Sequence, residues 1–330
     1  LLSVGLCACS GGDAGGQGSP GAQGSPDAAN TSPAPSPSGD SSSATTDGES
    51  TEPDAGETSG PAYEVPASIE DATFDAGAAV GANDALIDAS NVAAGYVGAS
   101  AQNASRLKFQ VIKGDMSYNY DLPGDGTPII CPLNMGDGSY TLAVMQNTSG
   151  NNYVEVFSTT VDVALESQFA PFLRPSIYCD FNNDSACVKK ARELAQGAQN
   201  EGDVARAIYE WITESISYDT GKAAELAQST GYYPNPDDTL SSKTGVCFDY
   251  ASLAAAMFRS LGIPCQIITG YVSPDNLYHA WNMVYLDGQW VSVQLTINPD
   301  TWTRLDTTFA ASGGGSTVGD GTTYTDRYVY

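Results

Sequence analysis

The twelve residues from Tyr250 to Leu261 constrain this chain more than any other stretch. Tyr250, Leu253, Ala254, Met257, Phe258 and Leu261 recur at i, i+3, i+4, i+7, i+8 and i+11, which lays apolar side chains along one stripe of an α-helix. A helix with such a stripe must bury it, so a packed core forms around it. Gly262 and Pro264 stop the helix. Cys247 stands at its head, at or just before the first turn, where unpaired N–H groups and the positive end of the helix dipole favour an anion by roughly 0.3–1 kcal/mol. Thiols in such places are readily ionised and nucleophilic. The alternative role for Cys247 is that of a small apolar packing residue.

A thiolate nucleophile needs a proton partner, and the chain has a single histidine, His279. It opens HAWNMVYLDGQWV, an alternating strand with His279, Trp281, Met283 and Tyr285 on one face and an Asp287-Gly288 hairpin turn. A lone histidine at a strand's start is commonly a surface residue. What makes this one a candidate base is the order: cysteine at a helix N-terminus, the strand CQIITGYV, then the histidine.

Composition decides how much of the 330 residues can join that core. The first 60 or so are Gly, Ser, Pro, Ala, Thr and Asp, too poor in apolar surface to offset the roughly 1–2 kcal/mol per residue that ordering costs. Residues 10–62 are therefore expected to be a disordered acidic linker. The net charge is −26, with no Lys or Arg before Arg106. Such charge repels nucleic acid and anionic lipid headgroups, so both are excluded as partners, and it keeps an exported protein soluble. Residues 1–9, LLSVGLCAC, resemble the end of a bacterial lipoprotein signal with lipid attachment at Cys9; an ordinary secretory signal is the alternative. The apolar run is too short to span a membrane, so the only membrane contact expected is the lipid anchor, at the outer face of the cell membrane.

Strand signals in RLKFQVIK, YNYDL, TPIICPL, SYTLAVMQN and YVEVFSTTVDVAL, separated by PGDG, MGDG and TSGNN turns, predict a small antiparallel β-sandwich over residues 63–166. Tyr118, Tyr120, Tyr140 and Tyr153 within it read as packing. Residues 167–330 form the second region. Helices are expected in SACVKKARELAQGA and DVARAIYEWITESI, the latter capped by Asp203, followed by a long loop with one short helix in KAAELAQ. Five cysteines follow Cys9; an odd count in an exported protein leaves at least one thiol free. Cys179 and Cys187 flank a short polar loop and are a possible disulfide, while Cys131 and Cys265 sit in apolar runs and read as core.

GVCFDYASLAAAMFRSLGIPCQIITGYV followed by HAWNMVYLDGQWV resembles the core of the transglutaminase-like superfamily: Gly-Val-Cys, a helix ending in Leu-Gly-Ile-Pro, a strand with Gly-Tyr, and His-Ala-Trp before a hairpin. The resemblance covers roughly residues 203–308. It implies an α+β, papain-like fold, a helix on an antiparallel sheet, with Cys247 as nucleophile and His279 as base. It also implies a carboxylate that orients the imidazole. The residue pattern places this at Asp306, in WTRLDTT, whereas the usual separation from the histidine falls at Gln294; Asp306 is preferred because a carboxylate also stabilises the charged ring. Tyr232, Tyr233 and Asn235, from the loop before Cys247, are oxyanion or substrate candidates, and Trp281 is expected to wall the site. No metal or other cofactor is expected. The implied activity is that of a thiol peptidase or amidase on a peptide or protein at the cell surface or wall. A cross-linking transamidase and a non-catalytic binding or scaffold protein are the alternatives.

Overall fold

Alternation builds the first half of the fold. In Leu107–Lys113 the side chains of Leu107, Phe109 and Val111 are buried, while Lys108 and Gln110 turn to the other face. The computed structural model describes residues 63–272, 277–286, 288–291 and 324–330. Cys9, Gln294, Asp306 and the linker lie outside the described residues.

Among the described residues, eight strands precede the first α-helix: β1 (Val80–Ala82), β2 (Ala85–Asp88), β3 (Tyr96–Ala101), β4 (Leu107–Lys113), β5 (Met116–Leu122), β6 (Ile129–Pro132), β7 (Gly138–Ser149) and β8 (Asn152–Val163). They form two four-stranded antiparallel sheets, ordered β1-β2-β3-β6 and β5-β4-β7-β8. The expected strands thus form, joined by β1 to β3 from residues that show little alternation. β3 is buried at all six positions, and a strand covered on both faces carries no period of two.

The helices follow: α1 (Ala186–Leu194), α2 (Glu201–Ser215), α3 (Thr220–Leu226), α4 (Pro236–Ser242) and α5 (Cys247–Ser260). Two-residue strands β9 (Ser217–Tyr218) and β10 (Thr244–Gly245) pair in parallel between them. Asp203 is not the cap of α2 but a residue of its first turn. The cap is Asn200, whose side chain accepts the Asp203 N–H at 2.9 Å, while the Asp203 carboxylate accepts the Gln199 N–H at 3.0 Å. The chain closes with β11 (Cys265–Val272), β12 (Leu277–Leu286), β13 (Gln289–Val291) and β14 (Tyr324–Val329), an antiparallel sheet ordered β13-β12-β11-β14.

Every residue of α5 is buried, not one stripe alone. The helix runs through the middle of the core, and a single hydrophobic cluster joins it to the inward faces of the β-sheets. Its polar residues are consequently all satisfied internally. The fully buried Arg259 donates to the carbonyls of Cys265 at 2.9 Å, Arg174 at 3.0 Å and Tyr330 at 3.0 Å. Ser252 donates to the Tyr178 carbonyl at 2.7 Å. Asn282 of β12 donates to the Ala251 carbonyl at 2.9 Å, which fixes the sheet on the helix.

Candidate active site

The approach to Cys247 is pinned before the helix begins. Ser217 donates to the Lys243 carbonyl and Asp219 to that of Gly245, both at 2.9 Å, so the Gly-Val-Cys segment is strapped to the end of α2. Val246 is the N-cap of α5 and has no polar side chain to offer. Asp249 does the capping from inside the first turn. It is fully buried and accepts the Val246 N–H at 2.8 Å, Lys222 Nζ at 2.7 Å and the Tyr232 hydroxyl. Gly245 is required by this arrangement, because a Cβ there would lie 2.7 Å from Asp249 Cβ and 3.1 Å from its Oδ2. Cys247, the first residue of the helix, is 2 % exposed.

His279 lies on β12, 3 % exposed, in register with Gly270 of β11. A Cβ at Gly270 would sit 2.1 Å from the Thr325 carbonyl oxygen and 2.9 Å from the Trp281 ring, so glycine admits both β14 and the indole at this point. The Trp281 ring runs nearly parallel to the His279 imidazole, centroids 6.4 Å apart at 20°. It packs with Ile268 and Met283 and, contrary to the expectation that it walls the site, is not among the residues that line the cavity holding His279.

Cys247 and His279 line one cavity of about 590 Å³. The β5-β4-β7-β8 sheet supplies much of its remaining wall through Arg106, Lys108, Gln110, Asn119 and Tyr153, and Tyr328 and Tyr330 add to it. Tyr118, Tyr120 and Tyr140 are buried packing residues, but Tyr153 faces the cavity. The structure separates the loop candidates. Tyr232 lines the cavity with its hydroxyl committed to Asp249. Tyr233 donates to the Asp121 carbonyl. Asn235 caps α4, accepting the N–H groups of Asp237 at 2.9 Å and Asp238 at 3.1 Å.

Cys179 and Cys187 are free thiols and form no disulfide with each other, and Cys131 and Cys265 are free as well. The Cys179 Sγ instead meets the Ser252 carbonyl at 3.7 Å. Burial pushes the Cys179 thiol up to about 12 and raises those of Cys131, Cys187 and Cys265 well above the ordinary range. These four are inert packing thiols. Among the described residues, no group of His, Cys, Asp and Glu side chains is arranged to hold a metal ion. The contributions of Lys222, Asp249 and β14 escaped the sequence reading; the acid two residues past Cys247 was the visible signal for the first two.

Residues 188–295 match the Transglutaminase-like superfamily. Over 114 residues the chain is 32% identical to the human Kyphoscoliosis peptidase, a match that takes in 32% of this chain and 17% of that protein. It is 29% identical over 151 residues to the Caenorhabditis elegans Lim and transglutaminase domain protein ltd-1, covering 42% of this chain and 19% of that one. The chain therefore spans only a small part of these relatives. Among solved structures, the periplasmic domain of TgpA from Pseudomonas aeruginosa aligns at 15% identity and a TM-score of 0.31, over 74% of this chain and 78% of that one.

Proposed function

Residues 188–295 being a transglutaminase-like core, we propose that the protein is a thiol hydrolase of amide bonds, acting on a peptide or protein. The observation that carries this reading is that Cys247, at the head of α5, and His279, on β12, line the same cavity. The Cys247 thiolate attacks the amide carbonyl carbon, forming a C–S bond while the oxygen takes the negative charge. The helix-terminal N–H of Cys247 is placed to meet that charge. His279, having taken the thiol proton, returns it to the amine as the C–N bond breaks. Water, deprotonated by His279, then cleaves the thioester and regenerates the thiol. Asp306, with Gln294 as the alternative, orients the imidazole.

The test follows iodoacetamide labelling of Cys247 against pH in the parent and in His279→Ala. Burial raises the thiol pKa values of the other four described cysteines, and the label is counted on the Cys247-containing peptide by mass spectrometry, so that Cys7 and Cys9 do not contribute. A rate that rises well below the ordinary thiol range near 8.5, and loses that limb without the histidine, supports the ion pair. Ordinary thiol behaviour in both proteins refutes the enzyme. Amine incorporation outrunning hydrolysis would reassign the activity to cross-linking. We further propose attachment to the outer face of the cell membrane through lipid on Cys9, from the Leu-Cys-Ala-Cys-Ser-Gly-Gly run and the polar linker after it. An unmodified Cys9 in membrane fractions, read by mass spectrometry, would overturn this.

A further inference from the structure

Part of the cavity wall carries charge that the thiol chemistry does not use. Arg106 Nε and Nη2 approach Asp121 Oδ1 at 3.1 and 3.0 Å, and Lys108 Nζ approaches the same oxygen at 2.8 Å. Two cations thus share one carboxylate oxygen. The other oxygen of Asp121 faces Gly231, where a Cβ would lie 3.0 Å away. Asp115 is the one further lining residue with a carboxylate among the described residues. It sits beyond the opposite end of β5, about 20 Å along an extended strand from Asp121. The Asp121 end of the cavity therefore holds two positive charges against one negative, in a chain whose acids outnumber its bases 39 to 13.

Four consecutive residues join this cluster to the nucleophile's helix. Thr230 Oγ1 accepts from Arg106 Nη2 at 3.1 Å, and Tyr233 donates to the Asp121 carbonyl. Between them Tyr232 donates to Asp249, in the first turn of α5. Lys108 is mostly withdrawn from water, with 19% of its side chain exposed. Its burial lowers its pKa, and Asp121 partly reverses this; a second anion would act in the same direction as Asp121.

We propose that Arg106 and Lys108 form a subsite for a carboxylate of the substrate, carried beside the amide that Cys247 attacks. The subsite rests on the thiol-hydrolase reading for its purpose, but its binding chemistry is independent of turnover. The carboxylate has two possible sources, an acidic side chain or a free peptide C-terminus, and both present the same group to the same cations.

The experiment measures fluorescence anisotropy on the full chain carrying Cys247→Ala, which binds without reacting. Three fluorescein-labelled peptides are compared: Ala-Gln-Ala-Glu-Ala amide, the same sequence with Gln replacing Glu as the amide, and that Gln sequence with a free terminal carboxylate. At least one carboxylate-bearing peptide should bind roughly three- to tenfold tighter than the neutral amide, and which one identifies the source. Lys108→Gln should abolish that preference and Asp121→Asn should enlarge it. Both substitutions break the same ion pair, so a purely structural effect would move them together, whereas charge moves them apart. Equal affinity for all three peptides, no measurable binding of any, or shifts of the same sign in the two variants would overturn the subsite. A preference that behaves as stated while the parent protein cleaves no amide would refute the hydrolase and leave the subsite standing.

Discussion

Replacing Asp249 with alanine tests whether one buried carboxylate holds the first turn of α5. The group takes three donors: the Val246 N–H at 2.8 Å, Lys222 Nζ at 2.7 Å and the Tyr232 hydroxyl. Loss of the cap costs about 1 kcal/mol. The stranded Tyr232 donor, which bonded a charged acceptor, adds about 1.5 kcal/mol. Lys222 has 31% of its side chain exposed and can turn to water, so its share is no more than about 0.5 kcal/mol. The sum is about 3 kcal/mol. Asp249→Asn keeps the shape and an acceptor for the Val246 N–H and should cost about half as much. Urea unfolding followed by tryptophan fluorescence reads this as a lowered midpoint at unchanged m-value, by about 1 M for an m near 3 kcal/mol/M. An alanine variant within about 0.5 kcal/mol of the parent, or an asparagine variant as costly as alanine, would refute the reasoning.

Three further outcomes follow from neighbouring contacts. Gly245→Ala places a Cβ 2.7 Å from Asp249 Cβ, so it should cost about 1–3 kcal/mol in the parent. The cost should shrink in the Asp249→Ala background, read as a coupling energy in the same urea assay. Arg259→Leu removes the donors to three buried carbonyls and should destabilise by about 3–5 kcal/mol, with Arg259→Lys recovering only part. Asp237 accepts the N–H groups of Ala186 at 2.9 Å and Cys187 at 2.8 Å, at the start of α1. Burial pushes its pKa up, but these N–H bonds outweigh burial and hold it below the ordinary carboxylate value. A depressed folded pKa stabilises above the unfolded value and is lost as pH falls through the folded one. Asp237→Ala should therefore cost about 1 kcal/mol at neutral pH, and parent and variant should converge as pH drops below about 4.

What could be read from sequence was what repeats locally. The α5 stripe, the alternation in β4 and the Asp287-Gly288 hairpin signal each state a period or a turn, and the structure has the helix, the strand and β12 beside β13. The heads of α2 and α4 were harder, since Asn200 and Asn235 cap helices whose boundaries the residue types only bracket. β14 was invisible, because its pairing with β11 depends on residues more than fifty positions apart. For the site, Cys247 and His279 were found by order along the chain, and the structure brings both to one cavity. The sheet wall with Arg106 and Lys108 was not, for nothing local in residues 106–121 says that their polar face meets a thiol.

The Arg259 clamp has a consequence for synthesis. Its third carbonyl belongs to Tyr330, 71 residues downstream, and at the usual 5–20 residues per second a nascent chain waits roughly 4–14 s between making the two. Through that interval α5 carries a guanidinium short of one partner, and β11 lacks the strand β14. The cavity wall supplied by Tyr328 and Tyr330 closes only after both have emerged. The Cys247 thiol thus acquires this part of its surroundings only after its own helix has long been made.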